Sequence, residues 1–181
     1  MRSDVVPGKI RQTFVADFSK DPVSIACEGL SFAESFGRWS KEAVVRLVVP
    51  GHALAARTLM RIDVNVSAFV PPTVTEQKVD LFANGVRAAG WTFAEKNMWV
   101  QEQIFFKPSE ADASNGITLE FLIHHATRPS DLGKSDDERA LGLAFKSLEV
   151  YQVESLGKRK ADVIDFSLLK KLGLSVKRPF E

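Results

Sequence analysis

Hydrophobic and polar positions alternate with a period of two through much of the chain. In TLMRIDVNVSAFV, residues 58–70, Met60, Ile62, Val64, Val66 and Ala68 share one parity and Arg61, Asp63, Asn65 and Ser67 the other. This pattern predicts a strand with one buried face and one wet face. ITLEFLIHHA, residues 117–126, repeats it, with Ile117, Leu119, Phe121, Ile123 and His125 on the apolar parity and Thr118, Glu120 and His124 opposite. AVVRLVVPG reads as a more fully buried strand stopped by Pro50 and Gly51, and QEQIFFKP as another stopped by Pro108. In KVDLFANGVRAAGWTF, Asn84-Gly85 sits between two apolar runs, the residue pair a tight hairpin turn requires, and Trp91 falls in the second run as a core residue. LGLAFKSLEVYQV is apolar at Leu141, Leu143 and Phe145, then at Leu148 and Val150; the parity switch near Lys146 and Ser147 predicts a bulge.

With RQTFVADF and SIACEGLSF upstream, these segments amount to eight or more strands, and no long helical period interrupts them. The expectation is an all-β fold, an antiparallel β-sandwich of jelly-roll (galactose-binding-like) type. After Gln152 the chain becomes more charged and then offers one short amphipathic helix, capped by Asp165 or Ser167 and ended by Gly173. The expected organisation is therefore a sandwich over residues 1–152 and a partly helical C-terminal tail over 153–181.

Composition narrows the function classes. A chain of 181 residues, 45% hydrophobic, suits one domain with a tail. Its 24 Lys and Arg against 23 Asp and Glu leave a net charge of +1, no field for nucleic acid. No apolar run reaches the ~18 residues that membrane insertion needs. The start MRSDVVPGKIRQTF has no apolar signal core, so the chain, read as a whole gene product, is expected in the cytoplasm. The single cysteine, Cys27, reads as a buried, inert thiol.

Two segments carry candidate chemistry. SFAESFGRWSKEAVVRL places Glu34, Arg38 and Trp39 beside a glycine, and HHATRPSDLGKSDDERALG crowds Arg128, Asp131, Asp136, Asp137, Glu138 and Arg139 into one connection. Either these groups tie the two loops together by satisfying backbone groups that no strand reaches, or they face a saccharide. In the second case an indole offers an apolar face to a sugar ring, and the ionic side chains pair with adjacent hydroxyls. The ligand-facing candidates are Glu34, Arg38, Trp39, His124, Asp137 and Arg139, with Trp99 a further one. No cofactor is called for; DLGKSDDE holds oxygen ligands for a structural calcium ion but lacks the spacing of a helical calcium loop. Glycoside hydrolysis would require Glu34 and Asp136 to face each other across a cleft, and no nucleophile, phosphate-loop or dinucleotide motif is present.

SFAESFGRWS, TLMRIDVNVSAFV, VDLFANG, ITLEFLIHHATRPSDLG and SDDERALGLAFKSLEV together resemble an uncharacterised domain that recurs in bacterial polysaccharide-biosynthesis proteins. That domain is appended to glycosyltransferases, to sugar-pathway methyltransferases and to membrane proteins. Its pattern falls on Glu34, Gly37, Arg38, Trp39 and Ser40; on Asn84 and Gly85; and on Leu132, Gly133, Ser135, Asp137, Arg139, Leu141 and Gly142. Here Arg-Pro-Ser precedes Asp131 where the pattern has Ser-Pro. The resemblance implies a setting in surface-polysaccharide assembly rather than a reaction. The expected role is noncatalytic carbohydrate binding; the alternatives are a module that self-associates or docks a glycosyltransferase, and a hydrolase or lyase acting on the polysaccharide.

Overall fold

The structure, a computed structural model, describes residues 10–94, 98–133, 135–154 and 163–165. Its strands are β1 (Ile10–Asp17), β2 (Ala26–Glu28), β3 (Arg38–Trp39), β4 (Val44–Val49), β5 (Met60–Ala68), β6 (Gln77–Ala83), β7 (Val86–Phe93), β8 (Trp99–Lys107), β9 (Ile117–Ile123), β10 (Leu143–Val153) and β11 (Val163–Asp165). They form two stacked sheets. Sheet A runs β1-β10-β5-β8-β11, with β3 also pairing β10; sheet B runs β2-β4-β9-β6-β7. Every pairing is antiparallel except β11 with β8. The fold is a β-sandwich of jelly-roll type.

The alternating residues meet between the sheets. Ile62, Val64 and Val66 of β5, Phe145, Leu148 and Val150 of β10, and Leu119, Phe121 and Ile123 of β9 are all buried in one core. Phe145 packs edge-on against Phe18 at 5.9 Å and Phe121 at 5.1 Å between ring centres, arrangements that aromatic quadrupoles favour. Trp91 joins this core as its sequence parity predicts.

Local expectations meet specific outcomes. Asn84 and Gly85 take positive φ, 47° and 79°, and pair Ala83 with Val86 across a two-residue turn. The Asn84 side chain donates to Asp112 and accepts from the Thr118 amide, each at 2.9 Å, so it also anchors the only α-helix among the described residues, α1 (Glu110–Asn115). The register of β10 shifts against β5 between Phe145 and Ser147, the bulge that the parity switch requires. Strand β4 differs from the fully buried reading. Only Val45, Leu47 and Val49 are buried, and Arg46 lies on the outer face, bonded to Glu120 at 2.7 Å and Glu28 at 3.3 Å. Cys27 is half-buried rather than enclosed. In the segment assigned to the tail, β11 extends the sheet beside β8; the helix expected near residues 165–173 lies outside the described residues. No helix among the described residues is long and apolar enough to cross a membrane.

Candidate functional site

Strand periodicity separates the two halves of the Arg38-Trp39 pair. In β3, Arg38 lies opposite Phe145 and Trp39 opposite Ala144. Opposed residues share a face and neighbours alternate. Arg38 therefore points inward, and Trp39 points out from sheet A. The Arg38 guanidinium donates to the Ser31 carbonyl at 3.1 Å, the Lys20 carbonyl at 2.9 Å and the Asp21 carboxylate at 3.1 Å. With its side chain 11% exposed, Arg38 is held by the backbone of its own loops. The expectation that it faces a ligand is corrected accordingly.

The remainder of the motif explains this closeness. Glu34 and Gly37 exchange backbone hydrogen bonds of 2.8 and 3.1 Å around a tight turn. Gly37 has φ +142°, and a Cβ there would lie 2.0 Å from the Phe145 carbonyl oxygen, so only glycine lets β3 approach β10 this closely. Ser40, fully buried, accepts from the amides of Gly142 at 2.9 Å and Leu143 at 3.2 Å. The two motif-bearing segments, about a hundred residues apart in sequence, are thus fastened at one end of the sandwich.

A second arginine occupies the exposed side of that junction. Arg139 grips Asp137 in two-pronged fashion, Nε to Oδ1 at 3.0 Å and Nη2 to Oδ2 at 2.7 Å, and reaches Glu34 Oε1 at 2.9 Å and Ser31 Oγ at 3.3 Å. The guanidinium sits 5.0 Å from the centre of the Phe32 ring, which is 66% exposed. Hydrogen bonds from Arg139 hold the Asp137 carboxyl below the usual carboxylate range despite the opposing effect of burial. The same contacts raise the Arg139 pKa. Asp137 and Arg139 therefore form a fixed ion pair whose carboxylate is able to accept hydrogen bonds from hydroxyls. Of the two carboxylates that glycoside hydrolysis would require, Glu34 is bound to the Arg139 guanidinium. Asp136 is exposed.

Beside this junction an aromatic cluster lies on the outer face of sheet A. Registers place Trp39 of β3, Ala144 of β10, Ser67 of β5 and Trp99 of β8 in one cross-strand row. Small residues in the middle leave room above the sheet for Phe36, whose ring centre is 6.1 Å from those of both Trp39 and Trp99. Phe69 packs edge-on against Trp39 at 6.5 Å. Trp39 is half-buried, whereas Trp99 is 37% exposed and lies beneath the Lys146 ammonium at 5.8 Å.

His124 is not part of this assembly. Its Nε2 lies 2.8 Å from Asp80 Oδ2 on the outer face of sheet B, and Arg87 bonds Asp80 Oδ1 at 2.6 and 3.0 Å. Burial opposes the Asp80 charge, but the hydrogen bonds from Arg87 and His124 outweigh it and lower the pKa. The structure thus unites Glu34, Asp137 and Arg139 and sets Trp39 near them. Arg38 is turned inward and His124 is placed on the other sheet. Phe32 and Phe36 are the members sequence reasoning did not single out, although both flank Glu34 within the quoted motif. Among the described residues, no group of three or more His, Cys, Asp or Glu side chains is placed to hold a metal ion.

No protein-family model matches the chain, and no curated protein matches it in sequence. Several solved structures resemble it at low identity. The CBM22-1 xylan-binding domain from Paenibacillus barcinonensis Xyn10C is 9% identical with a TM-score of 0.47, over 83% of this chain and 98% of that one. A carbohydrate-binding module, CBM36, in complex with calcium and xylotriose is 14% identical with a TM-score of 0.40, over 76% and 98%. The C-terminal domain of EclA, a sugar-binding protein, is 18% identical with a TM-score of 0.40, over 58% of this chain and 64% of that one, less than two thirds of its length. The sandwich assignment for this chain rests on its own strand pairing.

Proposed function

We propose that this chain is a noncatalytic saccharide-binding module and that the aromatic end of sheet A is where it holds its ligand. The observation that carries this reading is the gathering of Phe36, Trp39 and Trp99 from separate segments onto one partly exposed face, beside the Glu34–Arg139–Asp137 group. Sugar rings bind by stacking their apolar faces on aromatic surface while fixed polar groups engage the hydroxyls at their rims. The ionic group is already ordered by its own contacts, so binding does not have to immobilise it. The sequence motifs add the setting: the ligand is a surface polysaccharide under assembly, and the chain works alongside a glycosyltransferase.

A glycan array probed with the chain tests this directly. Wild type should retain a defined set of glycans, and Trp99→Ala and Trp39→Ala should each lose them while remaining folded. Equal retention by all three proteins would refute the assignment.

A second reading is favoured by Phe32 at 66% and Met98 at 52% exposure near the same end. Under that reading the patch docks a protein, either a second copy or a glycosyltransferase. Sedimentation of the wild-type chain as a concentration-dependent dimer, abolished by Phe32→Ser, together with a blank glycan array, is the outcome that would select it.

A further inference from the structure

We infer that the outer face of sheet A beyond the aromatic cluster is a track for an extended, neutral glycan chain, lying along the strands from Trp99 toward Tyr151. This rests on the saccharide-binding reading above and specifies its substrate as a chain rather than a terminal sugar.

The registers lay out the surface. Below the Trp39–Ala144–Ser67–Trp99 row, Ser147, Asn65 and Gln101 form the next row, then Glu149, Asp63 and Gln103, then Tyr151, Arg61 and Phe105. From Ser67 to Arg61 along β5 the rise is about 20 Å, long enough for several linked sugar rings. Aromatic side chains thus stand at both ends, and amides and carboxylates lie between.

Three features of the middle rows are unusual for a sheet surface that serves folding alone. First, Asp63 and Glu149 are directly opposed, an arrangement in which like charges destabilise a sheet. Second, each acid is held by neighbours. Asp63, only 2% exposed, is met by Arg61 Nε at 2.7 Å and Gln101 Nε2 at 2.5 Å; Glu149 accepts from Tyr151 and, at 3.2 Å, from Gln12. Third, the Asn65 carbonyl oxygen is buried without a hydrogen-bond partner. Such an orphan acceptor is costly, and this one lies beneath the side chains of the track, where only a shift of its neighbours or an enclosed water would meet it. Local rules broken together at one place mark sites shaped by function.

The chemistry selects the ligand. Primary amides both donate and accept, which matches hydroxyls of either polarity, and Gln101 and Gln103 are exposed. The Asp63 charge is met by Arg61, which leaves Glu149, without an ion pair among the described residues, to oppose a polyanion at mid-track, so a chain rich in uronate, sulfate or phosphate is disfavoured. The aromatic end is continuous with this surface through Trp99, which shares β8 with both glutamines.

The test is calorimetry with length series of neutral oligosaccharides, xylo-, manno- and gluco-configured, from disaccharide to hexasaccharide, and a matching uronic-acid series. Wild type and a Gln101→Ala, Gln103→Ala double variant are compared. Within the series that binds, wild-type affinity is expected to rise about tenfold from disaccharide to hexasaccharide, equivalent to about 1.4 kcal/mol. The double variant should lose most of that gain while binding the disaccharide as before. A hexasaccharide that binds wild type no more tightly than the disaccharide, a double variant indistinguishable from wild type, or preference for the uronic-acid series would overturn the track. Those outcomes leave saccharide binding at the aromatic end intact. Absence of binding by every oligosaccharide would overturn that reading and the track together.

Discussion

The two outer faces of the sandwich carry similar numbers of charged groups and use them differently. On sheet B the charges answer one another across neighbouring strands: Arg46 with Glu120 and Glu28, Asp80 with Arg87 and His124. Aliphatic Val44, Val48 and Leu122 lie between them, half-buried. These charges are paired within the chain. On sheet A three aromatic rings crowd one end, like charges oppose each other in the middle, and an acceptor on Asn65 is unmatched. Charge content alone therefore does not distinguish the two faces; incomplete pairing beside aromatic surface does.

The contrast is sharpest between the inward Arg38 and the outward Trp99, and the largest expected effect lies there. Arg38→Ala leaves the Lys20 and Ser31 carbonyls without their donor, which should lower stability by about 2 kcal/mol, measured by urea unfolding. Trp99→Ala should do the reverse, weakening glycan affinity by about 1 to 2 kcal/mol and lowering stability by about 1 kcal/mol, the contribution of its contact with Phe36. If Trp99→Ala unfolds the chain as much as Arg38→Ala does, the division into an inward support and an outward ligand face is lost.

Acid titration gives the next effect. The Asp137 pKa is lowered in the folded chain, chiefly by Arg139. Its contribution to stability is thus full above the unfolded carboxylate value of about 3.9 and disappears as pH falls through the folded value. The melting-temperature gap between wild type and Asp137→Asn should stay constant from about pH 5 to 8 and close in stronger acid. A gap that widens in acid would contradict the role given to Arg139. The smallest effect belongs to sheet B. Arg46→Ala removes half-exposed ion pairs and should change stability by less than about 1 kcal/mol, with glycan affinity untouched.

Much of this architecture is legible in the chain. Alternation in residues 60–68 and 117–123 marks β5 and β9 with the correct inward parity. Asn84-Gly85 gives the hairpin, and the break at Lys146 gives the bulge. These features are local, written into adjacent residues. The site is legible only in part, because its assembly depends on contacts across long sequence separations. That Ser40 closes on Gly142, or that Arg139 finds Glu34, follows from how the sheets stack. Periodicity by itself forbids Arg38 and Trp39 from facing one ligand once β3 is known to be a strand, yet a two-residue strand leaves no pattern to detect. The Trp99, Gln101, Gln103 parity of β8 was available as a signal; its meaning depends on Ser67 and Asn65 lying alongside. The guanidinium of Arg38 is occupied by backbone oxygens, as a purely structural motif would have it. The Trp39 indole, however, is not enclosed.

The three tryptophans supply the most direct test of the saccharide site. In a heteronuclear NMR titration with a glycan selected by the array, the indole N–H signals of Trp39 and Trp99 should shift in a saturable manner. Trp91, buried in the core, should stay fixed as an internal control, as should the amides flanking His124. Saturable shifts around His124 and Asp80 with the Trp39 and Trp99 signals unmoved would place the ligand on sheet B and contradict the account.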